Sequence, residues 1–172
     1  MSKTIEPFEH RPSLQLVAAV PSLRRRPAPP PRMPFWIDGP AQANEVLYAY
    51  ERSGGVWTSD DAMVMLRRRT AQPLSLLARW IVDALVVSVA WRGDYLLPVF
   101  QFDLANATVR RPVFEVLEAL DGTLKDLELA RWFGAPNVLL GGAAPVDAIE
   151  LDPRAVVAAA AERRRNDDGP PM

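Results

Sequence analysis

The chain has 172 residues, of which 49% are hydrophobic and 24% charged, so it has enough apolar surface to bury one core or two small ones. It has no Cys and one His, His10, which excludes disulfides, thiolate zinc sites, Fe–S clusters, Cys nucleophiles and multi-histidine metal sites. The 20 Lys and Arg against 21 Asp and Glu give a net charge of −1, so total charge does not predict nucleic-acid binding.

No apolar run is long enough to span a bilayer, because the longest one, residues 85–91, is followed directly by Arg92-Gly93-Asp94. The first thirty residues lack the order of basic, apolar and small residues that marks a secretory signal. Together with the absence of Cys, this predicts a soluble, cytoplasmic protein that makes no membrane contact.

Residues 1–40 carry six basic and three acidic groups, and proline concentrates between Arg24 and Arg32. Such a stretch favours extended polyproline II and cannot continue a helix. We predict that residues 1–40 form a disordered, basic, proline-rich arm. Three interpretations of Arg24–Arg26 and Arg32 stay open, namely a phosphate-contacting arm, a solvated linker and a peptide ligand used by an adaptor.

Residues 41–103 are predicted to form a helix-turn-helix-like unit. Val46, Leu47 and Tyr50, followed by Gly54-Gly55, predict a short helix between Ala41 and Arg52 with a glycine C-cap. A second helix follows an N-cap at Thr58 or Ser59, with Asp60-Asp61 in its first turn, an apolar stripe at Ala62, Met63 and Leu66, and three arginines in its last turn.

A third helix begins at Pro73 and has its apolar residues at Leu76, Leu77, Trp80 and Ile81. Two short helices joined by a brief turn outline a helix-turn-helix. The β-branched and aromatic residues around Arg92-Gly93-Asp94 then predict a β-hairpin that serves as a wing, with Pro98 at an edge or the end of a strand.

The exposed N-terminal side of the third helix would supply DNA base contacts, and the preceding arginines would face phosphates. The residues predicted for DNA binding are Arg67, Arg68, Arg69, Gln72, Ser75 and Arg79. The many apolar residues of the same helix equally fit a buried bundle helix, so both interpretations stay open.

Residues 104–165 are predicted to be helical, and Asn166–Met172 to be a frayed, disordered tail. Pro112 begins a helix whose apolar positions recur at helical spacing, and a second helix carries Leu129, Trp132 and Phe133. Pro145 and Pro153 begin two more helices, the last of them rich in alanine. Residues 135–142, between the second helix and Pro145, are too short for another full helix and apolar, so we expect this loop to pack against another part of the molecule.

Residues 129–149 resemble the signature W-(L/F)-x-x-P-N-x-x-L-x-G-x-x-P-x-x-L of the Xre/MbcA/ParS-type antitoxin toxin-binding domain. The resemblance covers about residues 104–162, and 97–103 resembles the P-x-F-Q-F-D junction that precedes this domain in some members. The residues at the signature spacing are Trp132, Phe133, Pro136, Asn137, Leu140, Gly142 and Pro145. By residue type alone, we expect these residues to be scaffold, not contact surface.

The resemblance implies an antitoxin of a type II toxin-antitoxin system that binds and neutralises a RES-type, NAD-consuming toxin. It also implies a homodimer that represses its own operon by binding operator DNA. The residues predicted to contact the toxin lie on the last helix and are Arg154, Glu162, Arg163, Arg164 and Arg165, although a solvated helix end would have the same composition. The alternative is a DNA-binding transcriptional regulator that has no toxin.

We predict no enzyme activity, cofactor or metal. His10 and Ser13 lie in the predicted arm, where nothing holds catalytic geometry. Gly141-Gly142 is not followed by the Lys-Ser/Thr of a phosphate-binding loop. Asp60 and Asp61 are adjacent at a helix start, so the helix dipole explains them without catalysis.

Overall fold

The structure is a computed structural model that describes residues 40–167. The predictions for residues 1–39 and 168–172 lie outside the described residues, and Pro40, predicted to belong to the arm, instead begins the first helix. Within the described range, no helix is both long and apolar enough to cross a membrane.

The described residues are mainly helical with small antiparallel sheets, as the sequence predicts. The helices are α1 Pro40–Ala49, α2 Ser59–Leu66, α3 Pro73–Val82, α4 Arg111–Leu120, α5 Asp126–Gly134, α6 Pro145–Ala148 and α7 Pro153–Asp167. The strands are β1 Val56–Trp57, β2 Val89–Trp91, β3 Asp94–Pro98, β4 Phe102–Asp103 and β5 Thr108–Val109. Short 3₁₀ turns span Glu51–Ser53, Val99–Gln101 and Val138–Leu140.

Local chemistry explains where α2 and α3 begin. Thr58 and Asp61 form a reciprocal capping box, in which the Asp61 N–H donates to the Thr58 hydroxyl and the Thr58 N–H donates to the Asp61 carboxylate. Pro73 occupies the first turn of α3. One expectation is wrong, because α2 ends at Leu66 and the three arginines 67–69 follow it in a turn instead of forming its last turn.

Strand β3 is the centre of a three-stranded antiparallel sheet, with the order β1-β3-β2. Trp91 pairs with Asp94, so β2 and β3 are joined by a two-residue turn at Arg92 and Gly93. Both residues have positive φ, 50° and 83°, as a type I′ hairpin turn requires. Pro98 ends β3, where its missing N–H leaves no gap inside the sheet.

The buried side chains form two hydrophobic clusters. The larger one joins α1 to helices α4–α7 and also includes Val87, Val89 and Leu96 of the hairpin region. The smaller one joins α2 and α3 to β3 and to Phe102. Residues 85–102 contribute to both clusters, so the hairpin region links them.

Helix α1 packs against α5, not only against its neighbours in sequence. The buried Tyr50 hydroxyl donates to the Ala130 carbonyl at 2.6 Å. A Cβ on Gly134 would lie 2.8 Å from the Cβ of Ala49, so the two helices approach closely where α5 ends. The core of the C-terminal helices therefore also contains α1.

The last helix is longer than the sequence predicts. Asn166 and Asp167, expected in the frayed tail, are still in α7. Asp167 lies 3.7 Å from Arg163, one turn earlier. This i,i+4 pair favours the helical conformation at its end.

Candidate partner-binding groove

A tight loop follows α5 and is organised around Asn137. The Asn137 carbonyl accepts hydrogen bonds from the N–H groups of Leu140 and Gly142, at 3.0 and 2.9 Å. Its side chain accepts from the Leu139 N–H at 2.9 Å. Gly141 and Gly142 have φ of 65° and 87°, which glycine adopts without strain. The loop is therefore held by its own backbone.

Only part of this apolar loop packs against the protein, whereas its composition predicted packing for the loop as a whole. Val138 is 91% exposed and Leu139 57% exposed, whereas Leu140 packs against the larger cluster. In a 3₁₀ turn, consecutive side chains point about 120° apart. Only one of the three can therefore face the core, and the other two project outward.

The two exposed side chains border a solvent-open groove of about 500 Å³ between α5, the loop and the C-terminal half of α7. Its apolar lining residues are Leu124, Trp132, Ala135, Pro136, Val138, Leu139 and Ala159. Its polar lining residues are Glu128, Arg131, Asn137, Arg163 and Asn166. The groove combines an apolar surface with polar groups from both helices, as in binding clefts.

The aromatic pair of the signature is divided between core and groove. Phe133 is fully buried, and Trp132 is half-buried and meets it edge-on with ring centroids 5.0 Å apart. Because Trp132 also lines the groove, the packing of Phe133 fixes the position of a groove wall. Pro145 is buried in the first turn of α6, so it serves as scaffold.

Ion pairs border the groove on both helices. Arg131 on α5 makes two hydrogen bonds of 2.8 Å to Glu45 on α1. The hydrogen bond raises the pKa of Arg131 and lowers the pKa of Glu45. On α7, Arg163 is paired with Asp167. Both guanidinium groups of the groove therefore already have a carboxylate partner.

The structure brings only part of the predicted toxin-contact set to the groove. Arg163 lines it, whereas Glu162 pairs with Arg165 and Arg164 lies 3.2 Å from Asp121. Arg154 is nine residues earlier on α7, about 13 Å along the helix axis.

The sequence predicted no contact role for most of the groove residues, among them Pro136, Val138 and Leu139. Pro136 was expected to be scaffold, yet it is exposed and lines the groove. Val138 and Leu139 belong to the apolar loop that was expected to pack against another part of the molecule, yet both are exposed. The clue in the sequence is a run of three apolar residues, 138–140, directly after the turn-forming Asn137. In a short turn, three consecutive side chains point in different directions, so they cannot all be buried.

The predicted DNA-binding residues lie together on the α2–α3 turn and the outer side of α3. All six, Arg67, Arg68, Arg69, Gln72, Ser75 and Arg79, are exposed. Three of them have side-chain contacts within the protein. Arg68 donates to the Leu104 carbonyl at 3.1 Å, Arg69 donates to the Asn106 carbonyl at 3.5 Å, and Arg79 lies 3.9 Å from Asp83.

Helix α3 is amphipathic. Its inner side is buried, as in a bundle helix, whereas its outer side leaves open whether the helix contacts DNA. Leu77 and Trp80 are buried, and Leu76 and Ile81 are half-buried. The outer side remains exposed and carries Leu74 and Val82 in addition to Gln72, Ser75 and Arg79.

Among residues 40–167, no group of three or more His, Cys, Asp or Glu side chains is placed to hold a metal ion. Comparison of the chain with protein-family models, with curated proteins and with solved structures gave no match.

Proposed function

We propose that this chain is an antitoxin that binds and neutralises a RES-type toxin, using the groove between α5 and α7. The observation that carries the proposal is the pair Val138 and Leu139, held outward beside a groove of about 500 Å³. The signature-like segment builds this surface, and the resemblance supplies the class of partner.

Physical chemistry supports a protein partner at this surface. Contiguous exposed apolar patches on small proteins mark interaction sites, and a few residues near the centre of an interface, often Trp, Tyr or Arg, carry most of its binding energy. The hydrogen bonds of Asn137 already order the loop, so binding has little conformational entropy to remove there. The half-buried Trp132 adds an aromatic wall.

Of the residues predicted to contact the toxin, Arg163 is the one that would contact it directly in the groove. It lines the groove and can exchange Asp167 for a carboxylate of the toxin. Glu162, Arg164, Arg165 and Arg154 contribute at most to the periphery.

The first step is to ask whether a RES-type toxin gene lies beside the gene of this chain. That toxin is then co-expressed with the full chain, followed by co-purification and measurement of cellular NAD. Val138→Asp and Leu139→Asp place a charge in the apolar contact, so each should weaken the complex by at least about tenfold. Leu151→Asp is the matched control, because Leu151 is 89% exposed and does not line the groove.

The wild-type chain and Leu151→Asp should both keep NAD levels normal, and the two groove variants should not. If the wild-type chain does not bind the toxin, or if Leu151→Asp weakens the complex as much as Val138→Asp, the proposal is wrong.

A DNA-binding regulator is the second candidate, favoured by the element order α1-β1-α2-α3-β2-β3 with β3 central. This order is similar to that of winged helix-turn-helix domains, and three exposed arginines follow α2. In this function the chain would repress transcription from its own promoter. Binding to promoter DNA should then weaken steeply with salt, and replacement of Arg67, Arg68 and Arg69 by Ala should reduce the salt slope by about one unit per lost phosphate contact.

A further inference from the structure

The groove between α5 and α7 lies beside the point where the chain leaves α7. Ala159, Arg163 and Asn166 line the groove from α7, at the four- and three-residue spacing that places them on one face of the helix. Asn166 directly precedes Asp167, the last residue of α7. The residues that follow Asp167 therefore start next to the groove.

The sequence of these following residues suits a return along the groove. Residues 168–172 are Asp-Gly-Pro-Pro-Met. An Asp-Gly pair is typical of chain reversals, because glycine adopts a positive φ without strain. Two consecutive prolines favour polyproline II, the conformation that aromatic-lined grooves bind at a low cost in entropy. The half-buried Trp132 is an aromatic wall of this groove.

The length of the segment is sufficient for this return. Ala159 and Asn166 are seven residues apart on α7, which is about 10 Å along the helix axis. Residues 169–172 span about 12 Å in polyproline II. A segment that reverses at Gly169 therefore reaches along the whole α7 side of the groove.

We propose that residues 168–172 fold back into the groove of the same molecule, with Pro170 and Pro171 against Trp132. Because α7 tethers the segment, its effective concentration at the groove is in the millimolar range, so a weak contact is enough to occupy it. For a partner that binds the groove, as in the proposed function, the segment is a competitor that has to be displaced. The contact itself belongs to the free chain and does not rest on the toxin.

The point of attachment favours this segment over the prolines near the N-terminus. Pro29, Pro30 and Pro31 have the same conformational preference, but eight residues separate Pro31 from the start of α1 at Pro40. None of the residues that line the groove is on α1. A longer connection from a more distant start costs more loop-closure entropy.

The first experiment compares nuclear magnetic resonance spectra of the ¹⁵N-labelled full chain and two variants. Pro170→Gly combined with Pro171→Gly removes both proline rings and the preference for polyproline II, so the indole N–H resonance of Trp132 should shift. Pro30→Gly combined with Pro31→Gly is the matched control and should leave that resonance in place. Circular dichroism checks that both variants are folded.

The second experiment measures proximity. The chain has no Cys, so Met172→Cys provides a single site for a nitroxide spin label. The label should broaden the Trp132 indole and Ala159 amide resonances strongly, and much less when Pro170 and Pro171 are also replaced by Gly. The broadening should not change with protein concentration, because the contact is within one molecule.

The proposal is overturned if the Trp132 resonance is the same with and without Pro170 and Pro171, or if the label broadens it equally in both chains. A shift caused by the Pro30 and Pro31 substitutions would assign the groove to the N-terminal prolines. Broadening that disappears on dilution would assign it to a segment of a second copy, and either result refutes the contact within one molecule.

Failure of this proposal and failure of the proposed function are distinguishable. The two resonance experiments use this chain alone, whereas the co-expression experiment measures toxin binding through Val138→Asp and Leu139→Asp. A chain that does not bind the toxin still shows whether residues 168–172 occupy the groove, and an empty groove leaves the result with the toxin unchanged.

Discussion

The side-chain amide of Gln101 holds both backbone groups of Val87. The Val87 N–H donates to Oε1 of Gln101 at 2.6 Å, and Nε2 of Gln101 donates to the Val87 carbonyl at 2.9 Å. Gln101 is fully buried. Val87 lies just before β2, where no strand pairs with it. The Gln101 amide makes the two hydrogen bonds that a peptide group of a neighbouring strand would otherwise make. This contact satisfies the backbone in the region that links the two hydrophobic clusters.

Gln101→Leu should lower the free energy of unfolding by about 2–4 kcal/mol, because it leaves a buried N–H and a buried carbonyl without partners. Chemical denaturation followed by circular dichroism measures the change. Gln72→Leu is the matched control, since Gln72 is exposed and its side chain makes no cap hydrogen bond. Equal stability of the two variants would contradict the role of Gln101.

Gly134→Ala should destabilise the protein by about 1–3 kcal/mol, because its new Cβ would lie 2.8 Å from the Cβ of Ala49. The backbone of Gly134 does not have a positive φ, so the steric contact alone carries the effect. Ala49→Gly removes the opposing atom, and the double variant should recover most of the loss. A double-mutant cycle with no coupling between the two sites would refute this explanation.

Tyr50→Phe should cost about 1–2 kcal/mol of stability, because the Ala130 carbonyl loses its 2.6 Å hydrogen bond inside the core. Burial raises the pKa of Tyr50 above the usual value of 10.0, so its hydroxyl remains a donor throughout the neutral and mildly basic range. Tyr48→Phe, at a residue of α1 that is 76% exposed, should change the unfolding midpoint little.

Stability should fall as the pH drops below about 4.5. The hydrogen bonds from Arg131 and Arg110 hold the pKa of Glu45 and of Glu150 below their usual value of 4.5 in the folded protein. The unfolded chain therefore binds protons first, so this stabilisation is complete above the unfolded pKa and disappears as the pH falls through the folded pKa.

Urea denaturation from pH 7 to pH 3 measures this pH dependence. Glu45→Gln and Glu150→Gln should each flatten the acid limb of the curve, and Glu118→Gln, at an exposed residue, is the control for the loss of a surface carboxylate. An acid limb that is identical in all three variants would show that these ion pairs do not contribute.

Helix starts and the hairpin turn were predictable because adjacent residues decide them. An N-cap at Thr58 or Ser59, the start of α3 at Pro73 and a turn at Arg92-Gly93-Asp94 were expected from the sequence. The structure has the cap at Thr58, the start at Pro73 and the turn at Arg92 and Gly93. Each depends on the conformational preference of two to four neighbouring residues. Such preferences act before any tertiary contact forms.

The groove was not predictable in the same way. The apolar composition of residues 135–142 predicted only that the loop packs against another part of the molecule. The geometry of one short turn then allows Leu140 to reach the core and leaves Val138 and Leu139 exposed. Likewise, the spacing on α7 suggested a cluster of arginines, but three of the four that were predicted have carboxylate partners in the helix or in the α4–α5 turn.

The sequence by itself determined the helical content, the caps, the hairpin turn and the signature-like segment, because these depend on local preferences and on spacing along the chain. Only the tertiary structure decided that α1 packs on α5, that Gln101 closes the backbone of Val87, and that α3 keeps a second apolar face exposed. These features depend on which distant residues meet. The free energy of burying apolar surface depends on many residues at once. The spacing of apolar residues along one helix or strand does not specify which other element it packs against.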